Sequence, residues 1–137
     1  MTRVLIVEDS STMRSYVRTV LEDVEVFADP IEVDEACNGF EAMRLLPRRT
    51  YDLLITDINM PDINGLELIK LVRSNEHYRN TAVMIISTQA SERDRLRGLS
   101  LGADFFLPKP FTPEALVLAI GATLAARKPP AQPEEPR

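Results

Sequence analysis

Leu53-Leu54-Ile55-Thr56-Asp57 decides how this chain folds. An apolar run too short for a helix ends in a carboxylate, which reads as a strand buried on both faces that delivers Asp57 to its carboxyl end. Other runs end the same way. Val4-Leu5-Ile6-Val7 leads into Glu8-Asp9, Ala82 to Ile86 into Ser87-Thr88, and Phe105-Phe106-Leu107 into Lys109-Pro110. As parallel strands of one sheet they would gather three carboxylates, a hydroxyl pair and an ammonium at a single edge.

The segments between these runs read as helices. Ser10, Ser11 and Thr12 are N-cap candidates, followed by Met13, Val17, Val20 and Leu21 on one amphipathic face that stops near Glu22-Asp23. Ile31 to Cys37 is a weaker, edge-type strand. After the Asn38-Gly39 turn, Phe40, Met43 and Leu46 recur every three residues until Pro47. The turn-rich loop from Asp57 to Gly65 leads into a helix over Leu66 to Arg73, with apolar residues on more than one side. Ser91 is expected to cap a helix through Leu96 and Leu99 that Gly102 ends. Thr112-Pro113 opens a last helix striped by Ala115, Leu118, Ala119 and Ala122. Five strand-helix pairs in alternation predict an α/β fold: a doubly wound, five-stranded parallel sheet with helices on both faces and right-handed crossovers.

At 137 residues the chain is one domain long. The expected division is one folded domain over residues 1–127 and a Pro-rich disordered tail or linker over 128–137. With 16 basic and 21 acidic residues the formal charge is −5, which argues against direct grip on nucleic acid or an anionic membrane. No stretch approaches the roughly 20 apolar residues of a membrane span. Met1-Thr2-Arg3 enters a strand without a signal-peptide pattern, so a cytoplasmic protein is expected. Cys37 is the only cysteine and reads as a packed thiol; His77, in Ser74-Asn75-Glu76-His77-Tyr78, reads as a solvated loop residue.

In open α/β sheets, ligands bind outside the carboxyl ends of the strands near the topological switch point, where Glu8-Asp9, Asp57, Ser87 and Lys109 would lie. Three clustered carboxylates need a cation to ionise together, and an all-oxygen site suits Mg2+. A carboxylate with a metal on one side and an ammonium on the other is a fit acceptor of a phosphoryl group. The bland alternative makes Asp57 a loop cap and Lys109 its salt-bridge partner, but four strand ends carrying complementary groups favour the chemical reading.

The chain resembles the receiver domain of two-component response regulators, especially the single-domain, CheY-like chemotaxis type. The resemblance covers about residues 3 to 126, which makes the domain over 1–127 the receiver domain. It rests on Val7-Glu8-Asp9-Ser10-Ser11-Thr12-Met13-Arg14, on Thr56-Asp57-Ile58-Asn59-Met60-Pro61 with Gly65, on Ser87 after a buried strand, and on Lys109-Pro110-Phe111. It implies a flavodoxin-like strand order 2-1-3-4-5. It also implies that Asp57 accepts a phosphoryl group from a histidine kinase or phosphotransfer protein. Asp9, Asp57 and the backbone carbonyl of Asn59 would ligate Mg2+, with Mn2+ as an alternative ion, and Glu8 would act through metal-bound water. Glu8 stands where the family more often has Asp. Ser87 would be the switch hydroxyl, Lys109 a second phosphoryl partner with a cis bond to Pro110, and Phe106 the switch aromatic, where Tyr is frequent. Asn59 and Gln89 would flank the attacking water and tune dephosphorylation. The output surface would be the face of the fourth helix, last strand and last helix, offered to a downstream protein by a monomer or weak dimer. The charged set Glu92, Arg93, Asp94, Arg95 and Arg97 is either a wet helix face or part of that surface.

Other readings compete. An aspartate-nucleophile phosphatase would want a second acid at position 59, which is Asn59. A flavin module would want a phosphate loop where Glu8-Asp9 repels phosphate. A phosphorylation-independent binding module, or the receiver portion of a larger hybrid kinase or regulator, also suits the fold.

Overall fold

The computed structural model describes residues 1–23, 29–88 and 92–127. Its sheet contains β1 (Thr2–Val7), β2 (Ile31–Ala36), β3 (Leu53–Asp57), β4 (Ala82–Ser87) and β5 (Phe105–Pro108). The helices are α1 (Ser11–Leu21), α2 (Gly39–Leu45), α3 (Gly65–Ser74), α4 (Glu92–Ser100) and α5 (Pro113–Arg127), with a 3-10 turn at Leu46–Arg48. All strand pairs are parallel and the order is β2-β1-β3-β4-β5, the expected doubly wound arrangement. The chain leaves β1 towards β2 and returns to β3 on the other side, so the switch point falls between β1 and β3. Glu8-Asp9 and Asp57 flank it.

β3 and β4 are wholly buried, whereas β2 is an edge strand with only Val33 and Ala36 buried. Alternate strand residues serve two cores. Val4, Ile6, Leu53, Ile55 and Leu107 pack with Val17, Leu21, Leu116 and Ile120 of α1 and α5. Leu5, Leu54, Val83, Ile85 and Phe106 pack with Ala42, Leu68, Ile69 and Val72 of α2 and α3. Each fully buried Leu or Ile contributes about 1.5–3 kcal/mol, so the sheet residues carry much of the burial energy of the fold.

Local chemistry sets the element ends. The Ser10 side chain accepts the Met13 N–H, capping α1. Asn64 and Glu67 form a reciprocal capping box on α3. Gly102 has φ +118° and turns the chain after α4. Pro47 lies within the 3-10 turn, so the helical path continues one tight turn beyond its expected end.

Two helix faces differ from expectation. On α2, Phe40 and Met43 are exposed while Gly39 and Ala42 face the core, since a Cβ on Gly39 would lie 2.6 Å from the Ile63 Cβ. On α5, Leu116, Ala119, Ile120 and Thr123 are buried and Leu118 is 75% exposed. The expected Ser91 cap, most of the 24–30 connection and the 128–137 tail lie outside the described residues.

Candidate functional site

Register sets the levels of the site residues. Val7 pairs with Thr56, which puts Glu8 and Asp57 one step further at a common height; Asp57 pairs with Ile86, and Ser87 with Pro108. By alternation Glu8, Asp57 and Lys109 are in phase with the residues facing α1 and α5, and Ser87 with Phe106's side of the sheet. A one-residue slip in any strand would break the set.

Three of the expected residues are in direct contact. Lys109 Nζ donates to Glu8 Oε1 at 2.7 Å and to Asp57 Oδ2 at 3.2 Å. Glu8 is 1% and Asp57 7% exposed. The second Glu8 oxygen accepts the Ser10 N–H at 3.0 Å, and Asp57 Oδ1 accepts the Asn59 N–H at 3.3 Å. Burial pushes the Glu8 carboxyl up, and the proximity of Asp9 adds to this, against the downward pull of Lys109 and the Ser10 N–H. For Lys109 burial works downward, but the Glu8 hydrogen bond and the Asp57 charge outweigh it and hold the ammonium above the ordinary lysine value.

Asp9 completes the acidic cluster on the solvent side. One carboxylate oxygen from each of Glu8, Asp9 and Asp57 lies within 4.8 Å of the others. When all are ionised, three carboxylates less one ammonium leave two negative charges, and the donors are all oxygen. This set fits a hard divalent cation such as Mg2+. Both oxygens of Glu8 and both of Asp57 accept hydrogen bonds, those to Asp57 being the longer at 3.2 and 3.3 Å, and Asp9 is the exposed member of the three.

Ser87 is fully buried at the end of β4, and its carbonyl accepts the Lys109 N–H at 2.8 Å, joining β4 to the residue that carries the ammonium. The Lys109-Pro110 bond is cis. Phe106 is 8% exposed in the α2–α3 core, whereas Phe105 packs in the opposite one. Asn59 lies exposed on the rim, and Gln89 lies outside the described residues. His77 is exposed and remote. Two open grooves, of about 560 and 720 Å3, lie at the other end of the sheet around His77 and Tyr78 and are lined by none of Glu8, Asp9, Asp57, Ser87 or Lys109.

Sequence reasoning did not single out Arg14, whose Nη1 donates to the Glu8 carbonyl at 2.6 Å. An arginine in an amphipathic helix reads as solvated, and only its place within the recognised motif hinted otherwise. Cys37 is half-buried, and its thiol is pushed up chiefly by its hydrogen bond with Glu41.

Comparison with known proteins gives the family and the fold. The family described as the response regulator receiver domain matches residues 4–121. A chemotaxis protein CheY homolog of Campylobacter jejuni is 36% identical over 115 residues, 83% of this chain and 85% of the relative. A transcriptional regulatory protein CpxR homolog of Haemophilus influenzae is 36% identical over 124 residues, 90% of this chain but 51% of the relative. The solved structure of chemotaxis response regulator CheY4 of Vibrio cholerae superposes with a TM-score of 0.81 at 33% identity, covering 90% of this chain and 98% of that one.

Proposed function

The chain belongs to the response regulator receiver domain family of two-component signalling, and from that premise we propose that Asp57 is its phosphoacceptor, phosphorylated in a Mg2+-dependent reaction. The observation that carries this is the convergence of Asp57, Asp9, Glu8 and Lys109 on one strand edge. The donor is a phosphohistidine of a kinase or phosphotransfer protein, and small acyl phosphates can stand in for it. An Asp57 carboxylate oxygen forms the new O–P bond as the donor's P–N bond breaks, and the departing imidazole takes a proton from solvent. Bound Mg2+ would neutralise charge on the transferring oxygens. Asp9, Asp57 and the Asn59 carbonyl would hold it, with Glu8 acting through water, and Mn2+ would serve as an alternative ion.

Lys109 enters the reaction already held at 3.2 Å from Asp57, so it needs only to exchange a carboxylate oxygen for a phosphoryl oxygen. Ser87, at the adjoining strand end, supplies a hydroxyl to another phosphoryl oxygen. These bonds exist in one state only, which is the differential interaction a population shift requires. Phe106 lies on Ser87's side of the sheet and transmits the shift to the α4–β5–α5 face, where a downstream protein target binds. Asn59 and Gln89 tune loss of the phosphoryl group. Among the described residues no helix is long and apolar enough to cross a membrane, which accords with a cytoplasmic signalling role.

Intact mass after incubation with acetyl phosphate tests the reading. One phosphoryl adduct is expected, dependent on Mg2+ and lost in Asp57→Asn; an adduct that survives in Asp57→Asn would place the acceptor elsewhere.

A further inference from the structure

Arg14 stands in the second turn of α1, and its side chain reaches the end of the sheet. Nη1 donates to the Glu8 carbonyl at 2.6 Å and Nε to Glu35 Oε1 at 3.0 Å. The other Glu35 oxygen accepts from Arg18 Nη1 at 2.6 Å. The Arg14 side chain is only 18% exposed. Arg14 therefore bridges the first helix, the last residue at the β1 end and the β2 edge.

Glu8 is held at every polar group it has. Its N–H donates to the Ala36 carbonyl at 3.1 Å, its carboxylate accepts from Ser10 and Lys109, and its carbonyl accepts from Arg14. That carbonyl belongs to the planar Glu8–Asp9 peptide, so fixing its direction also fixes where the Asp9 Cα leaves the strand. A guanidinium suits this task because its donors point in set directions and can address a carbonyl and a carboxylate together. A lysine carries its donors on one nitrogen and cannot place two separate nitrogens as Arg14 places Nη1 and Nε.

We propose that Arg14 is a positioning residue for the acidic site: its bond to the Glu8 carbonyl orients Asp9 for the cation, and Glu35 holds the guanidinium outside the carboxylate cluster. This rests on the reading of Glu8, Asp9 and Asp57 as a Mg2+ site. Without Glu35 the guanidinium loses the carboxylate that its Nε addresses on the β2 side, and an arginine drawn into the cluster would compete with the cation. Arg18 neutralises the second oxygen of Glu35 and so keeps the Arg14–Glu35 bond in one geometry.

The rival account makes Arg14 only a tie between α1 and the sheet. Titration of the full chain with Mg2+ by calorimetry, beside thermal unfolding in EDTA, separates the two. Loss of a residue that orients a metal ligand typically weakens affinity about 10–100-fold, and that is the expected loss for Arg14→Met, with Arg14→Lys intermediate. Acetyl phosphate should still label Asp57 in both variants at saturating Mg2+. Wild-type Mg2+ affinity in Arg14→Met overturns the proposal, whatever happens to its melting temperature. Should Arg14→Met not fold, wild-type affinity in Arg14→Lys does the same. Wild-type protein that binds no Mg2+ would instead overturn the metal site, and the role of Arg14 with it.

Discussion

Gly65 lies directly against Asp57: a Cβ at position 65 would stand 2.1 Å from the Asp57 carbonyl oxygen and 2.9 Å from its carbonyl carbon. The contact is backbone on backbone, since the Gly65 N–H also donates to the Ile58 carbonyl at 2.9 Å. Neither side can yield as a flexible side chain would. Gly65→Ala must push α3 away or displace the end of β3. We expect a loss of at least about 1–3 kcal/mol in urea unfolding, with slower labelling of Asp57 by acetyl phosphate. An alanine variant equal to wild type in both would show that the loop relaxes freely.

Lys109 makes alkaline stability depend on the site. Its pKa is held above the ordinary lysine value, so its contribution is complete below that value and lost as pH rises through the raised one. Tyr51, pushed up by burial and by its 2.6 Å bond to Asp34, adds to the same alkaline loss. Unfolding measured from about pH 9 to 12 should therefore show, above the ordinary lysine value of 10.5, a shallower decline for Lys109→Met than for wild type, with the Tyr51 part remaining. Parallel curves would contradict the ion-pair geometry.

At the opposite end of the sheet, Asp104 accepts from Arg73 Nη2 at 3.0 Å, Arg127 Nε at 2.9 Å and the Val83 N–H at 2.9 Å. Arg73 also donates to the carbonyls of Gly102 and Thr81. Asp104→Asn leaves two guanidinium groups short of a carboxylate and should cost roughly 2–4 kcal/mol. Labelling of Asp57 should be unchanged at a temperature where the variant is folded. A loss of labelling under those conditions would mean that the two ends of the sheet are coupled.

Ser87→Ala separates chemistry from signalling. The variant should still accept a phosphoryl group, because Asp57, Asp9 and Lys109 are untouched. In wild type, the Phe106 ring resonances should shift on phosphorylation; in Ser87→Ala the shift should shrink. A full shift in the variant would remove Ser87 from the pathway to the α4–β5–α5 face.

Much of this was legible in the sequence because a buried parallel strand writes itself as an apolar run. Each of Glu8, Asp57, Ser87 and Lys109 closes or follows such a run, so the sequence alone assigns them to one edge. Helix faces were harder. On α2 the larger apolar residues Phe40 and Met43 turn outward, because the close approach of Gly39 to Ile63 admits only small residues. On α5 the run from Ala115 to Ala126 is apolar nearly all round, so its composition does not mark which side is buried. Arg14 was hidden for another reason: its partner is a backbone carbonyl, and sequence patterns carry no record of such bonds.

The central claim is that the phosphoryl group enters at the Asp57 carboxylate. Borohydride reduction of the acetyl phosphate-treated protein, followed by peptide mapping, tests it most directly, since an aspartyl phosphate is reduced to homoserine. Homoserine at position 57, absent when Mg2+ is withheld, is the predicted result. Unmodified Asp57 in protein that nevertheless carries a phosphoryl adduct would contradict the account.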